Sequence, residues 1–233
     1  MRPLPHEQHC QAVDWKPSSS SQQLCERQVD TLIQSHKSIK TKTAVITGGD
    51  SGIGLEICHG LLAAGFHVII GTRSMDFCLD VVDKLKKQTG SDEVSCIELD
   101  LALFESVRSF AAEIKKRVSQ KEIQLLINNA GVMNIPCKLT ADGYETQCQT
   151  NFLSPVLLAQ LLLPWMNPQT GKILFASSST LYAINNLNTD FSSRTYSLDG
   201  LEHYAYSKAC IAHIASQLAK SNRRSLPSGH CTH

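Results

Sequence analysis

Five short apolar runs alternate with longer stretches of helical spacing, and this rhythm constrains the fold more than any other feature. The runs are TAVIT (43–47), FHVII (66–70), EVSCIELD (93–100), IQLLINNAG (123–131) and GKILFASSS (171–179). Between and after them come LEICHGLLAAG, the amphipathic MDFCLDVVDKLKKQTG closed by Gly90, ALFESVRSFAAEIKKRV, YETQCQTNFLSPVLLAQLLLPWM, and HYAYSKACIAHIASQLAKS (203–221). Short β-branched runs with little polar interruption are strands buried on both faces. Strands separated by helices form βαβ units, and repeated units give a parallel sheet covered by helices on both sides. The sequence therefore predicts a doubly wound α/β domain over 42–221. With 233 residues, 42% of them apolar, the chain has enough material for one such core.

The first run opens into TGGDSGIG (47–54), with Gly48, Gly52 and Gly54 as its key glycines. A sheet of this class binds nucleotides at the carboxyl ends of its strands. Glycine lets the backbone turn sharply and approach a pyrophosphate, and the helix beginning near Ile53 offers free N–H groups and a positive dipole end. The spacing is neither GxGxxG nor a P-loop, since no GK[ST] follows. A strand–helix turn that needs glycine for geometry alone is the competing reading. After the second run stands VIIGTRSMD. An acid there would favour NAD(H), but Arg73 and Ser74 are present, and a guanidinium forks onto a 2′-phosphate. NADP(H) is thus favoured over NAD(H), although Arg73 could be a solvated helix-start residue and Asp76 keeps NAD(H) open.

Tyr204 and Lys208 in YAYSK are four apart and share a helix face, whereas Tyr206 does not face Lys208. Tyrosine is a weak base at its usual pKa near 10, and an adjacent ammonium stabilises the tyrosinate. TGGDSGIG, NNAG (128–131) and Tyr204-x-x-x-Lys208, in that order and context, resemble the short-chain dehydrogenase/reductase family over about residues 42–221. NNAGVM, DLALFESVRSF and the serine-rich fifth run resemble the branch that holds retinol dehydrogenases and related reductases, including the relatives named for the X chromosome.

The resemblance implies a Rossmann-type single domain and an NAD(P)H-dependent oxidoreductase interconverting a carbonyl and an alcohol on a lipid-like or retinoid-like small molecule. It implies Tyr204, Lys208, Ser178 and Asn151 as catalytic residues. Ser177 and Ser179 remain alternatives to Ser178, because the serine run blurs register. It implies cofactor contacts from Thr47, Gly48, Gly52, Ile53, Gly54, Arg73, Ser74, Asp100, Leu101, Asn129, Ala130 and Gly131, and from Tyr204 and Lys208. Asp100 could equally be a helix N-terminal acid. Asn128 would steady the central strand. Asn151 would sit at a helix irregularity to which Pro155 contributes, but Ser154 stands where the family has glycine, which bears on the local backbone.

The formal charge of +1 gives no field that would select nucleic acid. The longest apolar stretches are too short to cross a membrane, and the N-terminus lacks a secretory apolar core. A cytoplasmic protein is expected, with peripheral attachment to an intracellular membrane and a homo-oligomeric state left open. The nine cysteines form no CxxC pair and are expected to be reduced thiols. Residues 1–41 are expected to be a flexible extension, and His6, His9 and Cys10 to be solvated rather than a metal site. After 221 the sequence reads as an irregular tail (222–233) without the family's sixth and seventh strands. A sheet lacking its last two strands and a truncated, catalytically weak nucleotide-binding or interaction variant form the alternative reading.

Overall fold

The computed structural model describes residues 42–184 and 200–225. The extension expected over 1–41, the tail beyond 225 and the histidines and cysteines within them lie outside the described residues. Five strands form one parallel sheet in the order β3-β2-β1-β4-β5. They are β1 (Thr43–Thr47), β2 (His67–Thr72), β3 (Val94–Glu98), β4 (Ile123–Asn128) and β5 (Lys172–Phe175). Between them run α1 (Gly52–Ala63), α2 (Met75–Thr89) and α3 (Phe104–Arg117). A composite helix precedes β5: α4 (Thr146–Cys148), a π-helical turn (Gln149–Leu153) and α5 (Ser154–Leu162). The final helix, α6, spans Gly200–Ser225 and so runs past the expected end at 221.

Strand period two sorts the core into two layers. Val45, Ile69 and Leu126 face α3 and α5, packing with Val107, Phe110, Ile114, Leu158 and Leu162. Their neighbours Ala44, Ile46, Val68, Ile70 and Leu125 face α1 and α2, packing with Cys58, Leu62, Val81 and Leu85. Both α2 and α3 bury residues spaced i, i+3, i+4, i+7: Cys78, Val81, Val82, Leu85 and Val107, Phe110, Ala111, Ile114. That stripe is what docks an amphipathic helix on a sheet. Gly90 ends α2 in the left-handed conformation (φ 70°) and donates its N–H to the Lys86 carbonyl. The doubly wound sheet expected from the alternation is therefore present.

One expectation needs correction. Cys78 on α2 and Cys96 on β3 form a disulfide, with Cα atoms 6.4 Å apart. Both side chains point into the layer between helix and sheet, so the packing that docks α2 on β3 also brings the two sulfurs together. Cys58, Cys148 and Cys210 carry thiols outside any disulfide. Burial pushes Cys58 and Cys148 up to about 12, so these two are inert neutral thiols at ordinary pH.

The sheet is unevenly covered. β5 pairs only with β4, and Leu174 on it is 47% exposed. Among the described residues no strand pairs with the outer edge of β5. No helix among them is long and apolar enough to cross a membrane.

Candidate active site

The strand order reverses direction between β1 and β4: β2 and β3 lie to one side, β4 and β5 to the other. Loops leaving the two central strands diverge there and open a crevice. Thr47 and Asn129 hold its floor. The Thr47 hydroxyl accepts N–H groups from Asn129 (3.1 Å) and Ala130 (3.0 Å). The Asn129 amide donates to the carbonyls of Thr47 and Gly48, each at 3.1 Å. Above this floor lies a cleft of about 500 Å³.

The cleft gathers most of the residues expected to contact a dinucleotide. Thr47, Gly48, Ile53, Gly54, Arg73, Ser74, Asp100, Leu101, Asn129, Ala130 and Gly131 all line it. Gly52 does not; its φ of +53° shows that it serves the turn itself. Gly48 also has positive φ (+63°), and it donates its N–H to the Gly71 carbonyl at 2.9 Å. Helix α1 begins above these contacts with no side-chain cap from Ser51 and no acid in its first turn. Its first N–H groups thus carry no side-chain cap at the cleft, which suits an anion such as a pyrophosphate. Ile53 is 77% exposed beside them, an apolar surface that a flat ring could cover.

At the β2 end, Arg73 is exposed and Ser74 is the N-cap of α2 without a side-chain cap bond. Both polar groups are free to meet a ligand. Asp100 is half-buried, and its carboxylate accepts the Ala102 N–H at 2.8 Å. It does not cap α3. That role falls to Asp142, in the segment before α4, which accepts the Phe104 N–H at 2.7 Å. Asp142 was invisible to sequence reasoning because it is separated from Phe104 by two elements.

A second cluster stands where β4, the π-helical turn and α6 meet. Asn151 is buried in that turn. Its Oδ1 accepts the Val132 N–H (2.8 Å), and its amide donates to the Val132 carbonyl (2.8 Å) and to Ser207 Oγ (3.0 Å). The irregular turn has a local cause. Pro155 has no N–H to return to the carbonyls of the preceding turn, so the ladder slips there. Ser154, in place of the family's glycine, does not disturb this arrangement: it is fully buried and donates its hydroxyl to the Leu101 carbonyl at 2.6 Å.

Lys208 is buried, donates to the Ala176 carbonyl at 2.8 Å, and stands 5.5 Å from the centre of the Tyr204 ring. Tyr204 is half-buried, whereas Tyr206 packs away from this cluster with Cys148, Phe152, Cys210 and Ile211. Ser178 begins a 3₁₀ turn and accepts the Thr180 N–H at 3.3 Å and its hydroxyl at 3.1 Å. Ser177 donates to the Lys208 carbonyl at 3.3 Å. Ser207 was missed from the sequence. It links Asn151 to the Tyr204 carbonyl (2.7 Å), so it ties the π turn to the tyrosine's own helical turn.

Gly131 joins the cleft to this cluster. It lines the cleft, and a Cβ there would stand 3.1 Å from Asn151 Oδ1 and 3.4 Å from Lys208 Nζ. A molecule lying along the cleft past Gly131 therefore arrives beside the lysine and the asparagine.

Burial lowers the pKa of Lys208 below its ordinary 10.5. Between the lowered value and 10.5 the unfolded chain holds a proton that the folded chain has released. Stability therefore rises with pH across that window, and the cost of the buried cation is fully present below it. Urea-unfolding free energies measured across the alkaline range should show this rise, and Lys208→Met should flatten it.

Comparison with known proteins agrees with this geometry. The short chain dehydrogenase family model matches residues 42–225. Human polyprenol dehydrogenase is 35% identical over 178 residues, which cover 73% of this chain and 52% of that protein. Human retinol dehydrogenase 13 is 31% identical, covering 80% of this chain and 56% of that protein. The chain thus spans about half the length of the curated relatives it matches. Among solved structures, an uncharacterised protein from Mycobacterium paratuberculosis superimposes with a TM-score of 0.68 at 31% identity, covering 80% of this chain and 64% of that one. A short-chain dehydrogenase from Sphingobium yanoikuyae in complex with NADPH shares the fold, with a TM-score of 0.63 at 23% identity and coverage of 79% and 66%.

Proposed function

The chain belongs to the short chain dehydrogenase family, and from that premise we propose that it is an oxidoreductase interconverting a carbonyl and an alcohol with NADP(H). One observation carries the reading. Gly131 is at once a wall of the nucleotide cleft and the close neighbour of Lys208 and Asn151. The place for a dinucleotide and the place for proton transfer are therefore continuous.

When bound, the nicotinamide supplies or takes the hydride. The chain's residues do the rest. The α1 N-terminus and the Gly48–Gly54 turn hold the phosphates, with Thr47 and Asn129 keeping that turn on β4. Arg73 and Ser74 select a 2′-phosphate. Tyr204 exchanges the proton with the substrate oxygen, and Lys208 keeps the tyrosinate accessible by its charge. Asn151 fixes the backbone at Val132 and, through Ser207, the turn that carries Tyr204. Ser178 donates a hydrogen bond to the substrate oxygen, its present partners on Thr180 being exchangeable neighbours in the same loop. A lipid-like alcohol or its aldehyde is the substrate class, supported by the polyprenol and retinol dehydrogenases among the relatives.

The test is carbonyl-dependent NADPH oxidation by the full chain with retinoid, isoprenoid and short-chain aldehydes and ketones. Turnover that favours the long isoprenoid-type compounds is expected. NADPH oxidation that no carbonyl accelerates would sink the proposal. The outer edge of β5, unpaired among the described residues, and the exposed Leu174 favour a second reading, a weakly active chain that binds nucleotide. Tight NADPH binding without turnover would select it.

A further inference from the structure

The glycine turn contains an acid, Asp50, that the proton-transfer and phosphate-binding roles do not use. It is half-buried and lines the cleft. The Thr72 hydroxyl donates to its Oδ2 at 2.5 Å and in turn accepts the Ser74 N–H at 3.1 Å. Thr72 is the last residue of β2 and almost fully buried, so it is a rigid anchor. The carboxylate is thereby held at the β2 end of the cleft, next in space to the segment that carries Arg73 and Ser74. It cannot swing out without giving up its hydrogen bond.

Two opposite charges thus flank one end of the cleft. Among the described residues the ion pairs involve Lys86–Asp92, the Glu113 cluster and His203–Glu145, and neither Asp50 nor Arg73 takes part in one. The cation and the anion remain separate electrostatic features rather than a neutralised pair. A guanidinium attracts a phosphate strongly and a neutral hydroxyl weakly. A carboxylate does the reverse: it accepts a hydrogen bond from a hydroxyl and repels a phosphate.

We propose that Asp50 is a specificity-determining residue that opposes Arg73, lowering the chain's preference for a dinucleotide with a 2′-phosphate over one with a free 2′-hydroxyl. The inference rests on the dinucleotide reading of the cleft. Its consequence is dual cofactor use: Arg73 sets the preference for the phosphorylated nucleotide, and Asp50 limits how large that preference becomes. A structural role alone, pinning the turn to β2, would also account for the Thr72 contact. The two roles separate chemically, because an asparagine still accepts the Thr72 proton through its Oδ1 but carries no charge.

The experiment measures dissociation constants of NADPH, NADH, 2′,5′-ADP and 5′-ADP by calorimetry for the full chain and for Asp50→Asn. Removal of one charge near a phosphate is expected to tighten NADPH and 2′,5′-ADP by about tenfold. NADH and 5′-ADP should change by less than about twofold. Arg73→Ala should weaken only the phosphorylated pair. If Asp50→Asn shifts both classes equally, or neither, Asp50 is merely structural and the proposal fails while the cofactor reading stands. If the unsubstituted chain binds no dinucleotide, the cofactor reading fails and takes this inference with it. Thermal unfolding of the variant, expected within a few degrees of the parent, keeps a folding defect from passing as a change of preference. Should Asp50→Asn not fold, Asp50→Ser supplies the same charge removal with a shorter hydroxyl acceptor.

Discussion

Replacing Tyr204 with phenylalanine should lower turnover by about a hundredfold to ten-thousandfold while leaving nucleotide affinity unchanged. The substitution removes one oxygen and keeps the ring. Lys208 Nζ stands 5.5 Å from the ring centre and donates to the Ala176 carbonyl, and neither relation involves the phenol. Ser207 meets the Tyr204 backbone carbonyl, so the tie to Asn151 also survives. What disappears is the only group at this position able to pass a proton. Steady-state kcat for carbonyl reduction, with NADPH binding measured separately, reads the two effects apart. Tyr206→Phe is the matched control: Tyr206 packs on the far side of α6 with Phe152 and Cys210, and its loss should leave turnover intact. Unchanged kcat in Tyr204→Phe would mean that the proton comes from elsewhere, and the proposed chemistry would fall.

The strands and helices were legible because each is encoded locally. Period two and period 3.6 are short-range signals, and Val45 against Ile46, or Val81 against Leu85, follow from them directly. The cleft residues were legible for a related reason: a glycine turn after the first strand, NNAG after the fourth and Tyr-x-x-x-Lys on a helix all sit at strand ends or on one helix face. What escaped is what depends on two distant elements meeting. The Cys78–Cys96 disulfide arises because α2 lies on β3, and spacing in the sequence carries no trace of it. Asp142 on the Phe104 N–H, Thr72 on Asp50 and Ser154 on the Leu101 carbonyl are contacts of the same kind. Ser154 shows the cost of reasoning by resemblance alone. A serine where glycine is usual suggested a disturbed backbone, yet its hydroxyl finds a buried acceptor and the π turn is intact. Ser207 needed knowledge of where Asn151 points, which only the slipped ladder before Pro155 determines.

Gly54→Ala should be the most damaging single methyl addition in the cleft. A Cβ at Gly54 would fall 2.1 Å from the Gly48 carbonyl oxygen, 2.9 Å from its carbon and 2.6 Å from the Asn129 amide nitrogen. Two of these are backbone atoms, so no side-chain rotation relieves the clash. Gly48 cannot retreat freely, because its N–H is held by the Gly71 carbonyl and its oxygen accepts from Asn129. The turn must therefore separate from the start of α1, pulling the free N–H groups out of line with the cleft. Overpacking of this kind costs about 1–3 kcal/mol of stability. Displacing a positioned set of donors by about 1 Å costs a further hundredfold or so in whatever they bind. Gly52→Ala is the informative contrast. Nothing lies within 4 Å of its added Cβ, so the cost is conformational, from a φ of +53°, at about 1–2 kcal/mol. Urea unfolding should find the two variants similar in stability, while NADPH titration should find affinity lost in Gly54→Ala and largely kept in Gly52→Ala. Equal affinity in both would mean that close approach of the turn to α1 is not what holds the phosphates.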